Sequence, residues 1–143
     1  MIKEFCLAWE KNKGKLEEYF RSTPNSEYDS YELLVRRLFD IIINPSIEDD
    51  YYWFDTKHIL VIDDGDYQGT QVFILHRDQY QPSVEDYVYT NTYYGSCSCC
   101  DTLEGIHGYD YGLPGEQQVK DYMQLCLHLL QRCNFMVDMI EED

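Results

Sequence analysis

Apolar residues recur at helical spacing from the start of the chain. Ile2, Phe5, Cys6, Trp9, Leu16, Tyr19 and Phe20 predict a helix over residues 2–20, interrupted by the polar Lys11–Lys15 stretch around Gly14. Leu34, Val35, Leu38, Ile41 and Ile42 give the apolar face of a second helix from Tyr31 to Ile43. Asp29 or Ser30 is placed to cap its start, and Asn44-Pro45 stops it. The period then changes. Lys57–Asp63, with the run His58-Ile59-Leu60-Val61-Ile62, reads as a buried strand, and Asp64–Gly69 supplies turn residues. Thr70–His76 reads as the return strand, Gln81-Pro82-Ser83 as a second turn, and Asp86–Tyr94 as a third strand. Glu104, three residues after Asp101, suggests a partial capping box and a short helix. Gly105, Gly108, Gly112, Pro114 and Gly115 mark a loop. A long last helix is expected from Glu116 to Phe135, with Val119, Tyr122, Met123, Cys126, Leu129, Leu130 and Cys133 as its core stripe.

The pattern predicts an α+β fold in one domain, residues 1–143. An antiparallel three-stranded meander packs with the N-terminal helices and the long C-terminal helix. In such a meander the turn after strand one and the exit of strand three share one end of the sheet. Asp63, Asp64 and Asp66 therefore approach Cys97–Cys100, while His76 sits at the far end.

Charge sharpens the picture. The chain carries 27 Asp and Glu against 11 Lys and Arg, a formal net charge of −16. Residues 1–37 hold seven basic and seven acidic residues, so the entire excess falls on residues 38–143. Such a field repels nucleic acid and attracts basic surfaces; it also serves solubility. Fourteen Tyr, six Phe and two Trp argue against an unfolded acidic chain. The N-terminus has no apolar signal core and no apolar run approaches a membrane span, so a cytoplasmic protein is expected.

In that compartment the six cysteines should be reduced, which favours metal binding over disulfides. Cys97 and Cys100 stand two residues apart behind Gly95-Ser96. This spacing turns two thiolates toward one metal while the loop's N–H groups point at the sulfurs. A structural zinc site wants four ligands. The remaining donors would come from Asp66, Asp64, Cys99 or His107, with Cys99 competing with its neighbour Cys100. Ordinary loop thiols and a redox pair are the alternatives. A redox pair of thioredoxin type opens a helix after the first strand of a βαβ unit, whereas this pair follows a meander. Cys6, Cys126 and Cys133 read as core thiols, His58 as a strand-edge residue and His128 as a boundary residue. Asp63–Asp66 reads as a turn, since the glutamate that would complete a calcium loop is missing. The chain has no phosphate-binding glycine loop, GxSxG or HExxH, so the expectation is a binding protein and not an enzyme.

Three segments carry a resemblance. They are Ile62–Thr70, then Gln81–Tyr87 running on through Cys97–Leu103, and Val119–His128. Across residues 60–132 the chain resembles a family of small proteins of phages and prophages of Gram-positive bacteria. The family's loop reads Cys-Ser-Gly-Cys-Asp; here Cys99 replaces the glycine and leaves Cys97 and Cys100 as the matching pair. Within such phage proteins the chain is similar to zinc-containing anti-CRISPR inhibitors of the type II RNA-guided DNA nuclease. The resemblance implies an acidic inhibitor that occupies a basic, nucleic-acid-binding surface of that nuclease. The expected contacts are exposed acids, Glu48, Asp49 and Asp50 after Pro45 and Glu141, Glu142 and Asp143 at the C-terminus. A phage housekeeping or metabolic protein, including a metal-dependent enzyme, is the alternative.

Overall fold

A computed structural model describes residues 2–97 and 99–141. Helix α1 spans Lys3–Ser22 and buries Phe5, Ala8, Trp9, Leu16 and Phe20 at helical spacing, with the polar Asn12 among them. Helix α2, Tyr31–Arg37, starts at Ser30, whose hydroxyl accepts the Leu33 N–H. It continues into a wider π-helical segment, Leu38–Ile43. Asn12 Nδ2 donates to Ile42 O at 2.9 Å, so the buried polar group on α1 satisfies a carbonyl of that segment. Helix α3 is Thr102–His107, α4 is Glu116–Gln131 and α5 is Met136–Glu141.

The sheet has four antiparallel strands in the order β1-β2-β3-β4: Leu60–Asp63, Gly69–His76, Tyr87–Tyr94 and Asn134–Phe135. Gly69 pairs with Tyr94 and His76 with Tyr87, so the β1–β2 turn and the exit of β3 share one end and His76 lies at the other. One face joins the core, where Phe73, Leu75 and Val88 are fully buried in one cluster with side chains of α1, α2 and α4. Thr90 Oγ1 donates to Leu129 O at 2.6 Å and ties β3 to α4. A second focus is aromatic. Phe20 stacks on Tyr122 at 5.1 Å, Tyr28 lies 4.7 Å from Tyr122, and the Tyr122 hydroxyl donates to Asn25 Oδ1.

Two expectations are corrected. The sheet has a fourth strand where the last helix was expected to continue to Phe135. Helix α4 ends at Gln131, and Phe135 pairs with Val88 and packs edge-on against Phe5 at 6.0 Å. Burying that ring against α1 outweighs one more helical turn, and no glycine or proline announces the stop. Strand β1 is not buried either. It is the sheet edge, and only Ile59 and Val61 of its apolar run pack against the core, while Leu60 and Ile62 are 58% and 50% exposed. Among the described residues, no helix is long and apolar enough to cross a membrane.

Candidate functional site

The cysteine loop leaves β3 at Tyr94. The Tyr94 hydroxyl donates to Asp63 Oδ1 at 2.6 Å, which joins the loop's root to the β1–β2 turn. This bond pushes the Tyr94 pKa up to about 12 and lowers that of Asp63. Gly95 follows, and its N–H donates to Asp101 Oδ2 at 3.0 Å. A Cβ at position 95 would stand 2.5 Å from Cys100 O and 2.7 Å from Cys100 Sγ, so glycine is needed for close approach. Cys97 O accepts N–H bonds from Cys100 and Asp101 at 3.1 and 2.9 Å, which closes the turn. Asp101 then caps α3: its Oδ1 accepts the Glu104 N–H and the Tyr31 hydroxyl at 3.0 and 2.8 Å. Tyr31 in turn accepts the Leu103 N–H, so the loop is bound to α2 as well as to the sheet.

This scaffold brings two sulfurs together. Cys97 Sγ and Cys100 Sγ are 3.0 Å apart, and the Cys97 N–H points at Cys100 Sγ at 3.2 Å. Hydrogen bonding between the thiols splits their acidity. Cys100 moves down and Cys97 moves up, though the N–H groups of Cys99 and Cys100 pull Cys97 the other way. Both thiols are exposed, as is Cys99. Two sulfurs bound to one tetrahedral zinc at about 2.3 Å lie about 3.7 Å apart. The pair would open by less than 1 Å to serve as two ligands.

The other expected donors are spread out. Asp64 Oδ1 accepts the Thr70 N–H at 2.7 Å and so holds the turn. Asp66 is exposed in the same turn, and both lie at the cysteine end of the sheet, as the meander requires. His107 closes α3, with Nδ1 3.1 Å from Gly108 O. Among the described residues, no group of three or more His, Cys, Asp or Glu side chains comes together as a metal site. The chain thus brings together two thiols of the four donors a closed zinc site uses. Cys126 and Cys133 are fully buried, as expected for core thiols, and burial raises the pKa of each.

The acidic run forms a second candidate site. Glu48, Asp49 and Asp50 are all exposed. Directly after them Tyr51, Tyr52 and Trp53 are 61%, 50% and 38% exposed. These aromatics were missed as site residues, although Tyr-Tyr-Trp after three acids is a visible signal. The loop is firmly held. Asp49 Oδ1 accepts the Tyr51 N–H, Trp53 Nε1 donates to Ile47 O at 3.0 Å, and Gln79 Nε2 donates to Tyr51 O at 3.0 Å. Arg77 donates to Tyr52 O while its guanidinium lies 4.5 Å over the Phe54 ring. Asn44 brackets the segment by bonding both the N–H and the C=O of Phe54, at 2.9 and 3.1 Å. At the other acidic run, Glu142, Asp143 and the side chain of Glu141 lie outside the described residues.

Compared with protein-family models, curated proteins and solved structures, the chain matches none of them.

Proposed function

We propose that the protein is an inhibitor that docks on a basic, nucleic-acid-binding surface of a host defence protein, the type II CRISPR RNA-guided DNA nuclease. One observation carries the reading: the exposed carboxylates of Glu48–Asp50 continue into the exposed, backbone-anchored rings of Tyr51, Tyr52 and Trp53. The nuclease's guide–target channel is positively charged to hold phosphates. Carboxylates steer encounter with such a surface, and Tyr and Trp supply the anchors that dominate binding energy. The loop is held before binding, so little ordering entropy is lost on docking. In this reading the protein touches no nucleic acid directly.

Zinc belongs to the same proposal as a stabiliser of the 95–101 loop and not as a catalyst. Cys97 and Cys100 would be two of its ligands, with Asp66, Asp64, Cys99 and His107 as the remaining candidates. Elemental analysis of protein purified without chelator tests this separately, and a metal-free protein overturns it.

The functional test is co-elution of the purified protein with the nuclease at low and high salt, beside a DNA-cleavage assay. A complex that forms at low salt, weakens at high salt and blocks cleavage is expected, because the Debye length falls from about 10 Å at 0.1 M to about 3 Å at 1 M. Reversing the charges of Glu48, Asp49 and Asp50 should slow association more than it speeds release. No complex at low salt and undiminished cleavage would overturn the reading in favour of a phage housekeeping protein.

A further inference from the structure

The turn after β3 does more than present two thiols. Cys97 O accepts the N–H groups of Cys100 and Asp101, which folds the chain back on itself and sets the two sulfurs 3.0 Å apart. Cys100 Sγ also lies 3.2 Å from the Cys97 nitrogen and 3.9 Å from Ser96 Oγ. A side chain at position 95 would strike Cys100 Sγ, so Gly95 leaves that sulfur its place beside Cys97. Asp101 then fastens the turn at both ends: its Oδ2 takes the Gly95 N–H and its Oδ1 takes the Tyr31 hydroxyl. The closeness of the sulfurs is a product of the fold and not of spacing alone.

Both thiols are open to solvent, where a small molecule reaches them. Cys126 and Cys133 are fully buried and Cys6 is half-buried, so chemistry arriving from solvent is directed to the 97–100 turn. Among the described residues, no third His, Cys, Asp or Glu side chain joins the two sulfurs. Two facing, accessible thiols are arranged for a reaction between the sulfurs themselves. Making a bond from 3.0 Å takes about 1 Å of sulfur movement, which rotation about the two Cα–Cβ bonds supplies.

We propose that Cys97 and Cys100 form a reversible oxidation site, closed to an intramolecular bridge by a small disulfide of the glutathione class. One protein thiol, as its thiolate, attacks the small disulfide, forms a mixed disulfide and releases one small thiolate. The second protein sulfur attacks that mixed disulfide, forms the Cys97–Cys100 bond and releases the other small thiolate. The protein pair gives up two electrons and two protons, and the small disulfide takes them up as two thiols. Zinc and the bridge exclude each other, because a disulfide sulfur has no thiolate charge to give a metal. The site responds to the redox state of its surroundings when no metal occupies it, and it needs no protein partner.

The test uses the full chain, reduced, freed of metal with a chelator and then held in mixtures of oxidised and reduced glutathione. Circular dichroism checks that it stays folded. Mass is read in wild type and in Cys99→Ser, which removes the third exposed thiol. In both, the bridge should appear as a loss of two thiols and of about two mass units, reversed by dithiothreitol, with peptide mapping placing it between Cys97 and Cys100. Cys97→Ser with Cys99→Ser should instead keep one glutathione on Cys100, because no neighbouring sulfur displaces it. Closure should be at least about tenfold more favourable in the folded protein than in urea, since the fold supplies the approach. Thiols that survive oxidised glutathione, a bridge through Cys99, a glutathione adduct that persists on Cys97 or Cys100 of the wild type, or equal closure with and without urea overturns the proposal. Any of these leaves docking on the nuclease untouched, and elemental analysis of the untreated protein tests zinc separately.

Discussion

The two faces of the sheet are built from the same strands and from much the same residue types. Along β2 the run Val72-Phe73-Ile74-Leu75 is apolar on both sides. Phe73 and Leu75 are fully buried, whereas Val72 and Ile74 are only half-buried and their β1 neighbours Leu60 and Ile62 lie largely in water. Hydrophobicity alone therefore does not decide which face the helices cover. The decision belongs to packing: Phe73, Leu75 and Val88 share one buried cluster with apolar side chains of α1, α2 and α4.

That contrast makes the largest expected effect a core one. Phe73→Ala should cost about 3–5 kcal/mol, the range for a buried aromatic replaced by a cavity. Urea unfolding checks it. Ile62→Lys on the outer face should stay within about 0.5 kcal/mol, as exposed substitutions do. Equal losses would mean that the outer face is covered.

Polar anchors come next. Asn44→Ala leaves both the N–H and the C=O of buried Phe54 without their partner and should cost about 2–3 kcal/mol. It should also loosen the Tyr51–Trp53 platform, read out as a change in Trp53 fluorescence. Asp101→Ala removes a helix cap that also binds Tyr31 and Gly95, and about 1–2 kcal/mol is expected. Its specific signature is altered reactivity of Cys97 and Cys100 toward a thiol reagent, because Asp101 closes their loop.

The smallest effect is electrostatic. Tyr94 has its pKa raised from 10.0 to about 12 by the hydrogen bond to Asp63. A raised pKa means that the folded state holds the proton more tightly. Its contribution is complete below pH 10 and is lost as the pH rises from 10 to about 12. Asp63, lowered by the same bond, contributes above the unfolded carboxylate pKa and loses that contribution as pH falls through its folded value. Tyr94→Phe should flatten both limbs of a melting-temperature profile against pH. An unchanged profile would show that the bond does not persist in solution.

Much of the fold is legible in the sequence because its signals are local. Ser30 caps α2, Asp101 caps α3, and the meander brings the Asp63–Asp66 turn to the cysteine end of the sheet. Gly95 is likewise readable as a turn residue, although its tight approach to Cys100 is seen only in three dimensions. The fourth strand was hidden. Residues 116–135 keep a helical apolar pattern to the end, and only the pocket beside Phe5 draws Phe135 out of it. The acidic run Glu48–Asp50 is visible as a run. That it sits beside three solvent-facing rings depends on Asn44, Arg77 and Gln79, which reach it from 10, 25 and 28 residues away.

By itself the sequence determined helices α1 to α4 in outline, the first three strands and the turns between them, the acidic excess and the close spacing of Cys97 and Cys100, because periodicity, turn chemistry and short spacings act over a few residues. Tertiary structure alone decided that β1 is an exposed edge and that Phe135 pairs into the sheet beside Val88. Those outcomes depend on which distant surfaces pack together, and an apolar residue gains much the same free energy by leaving water whichever partner covers it.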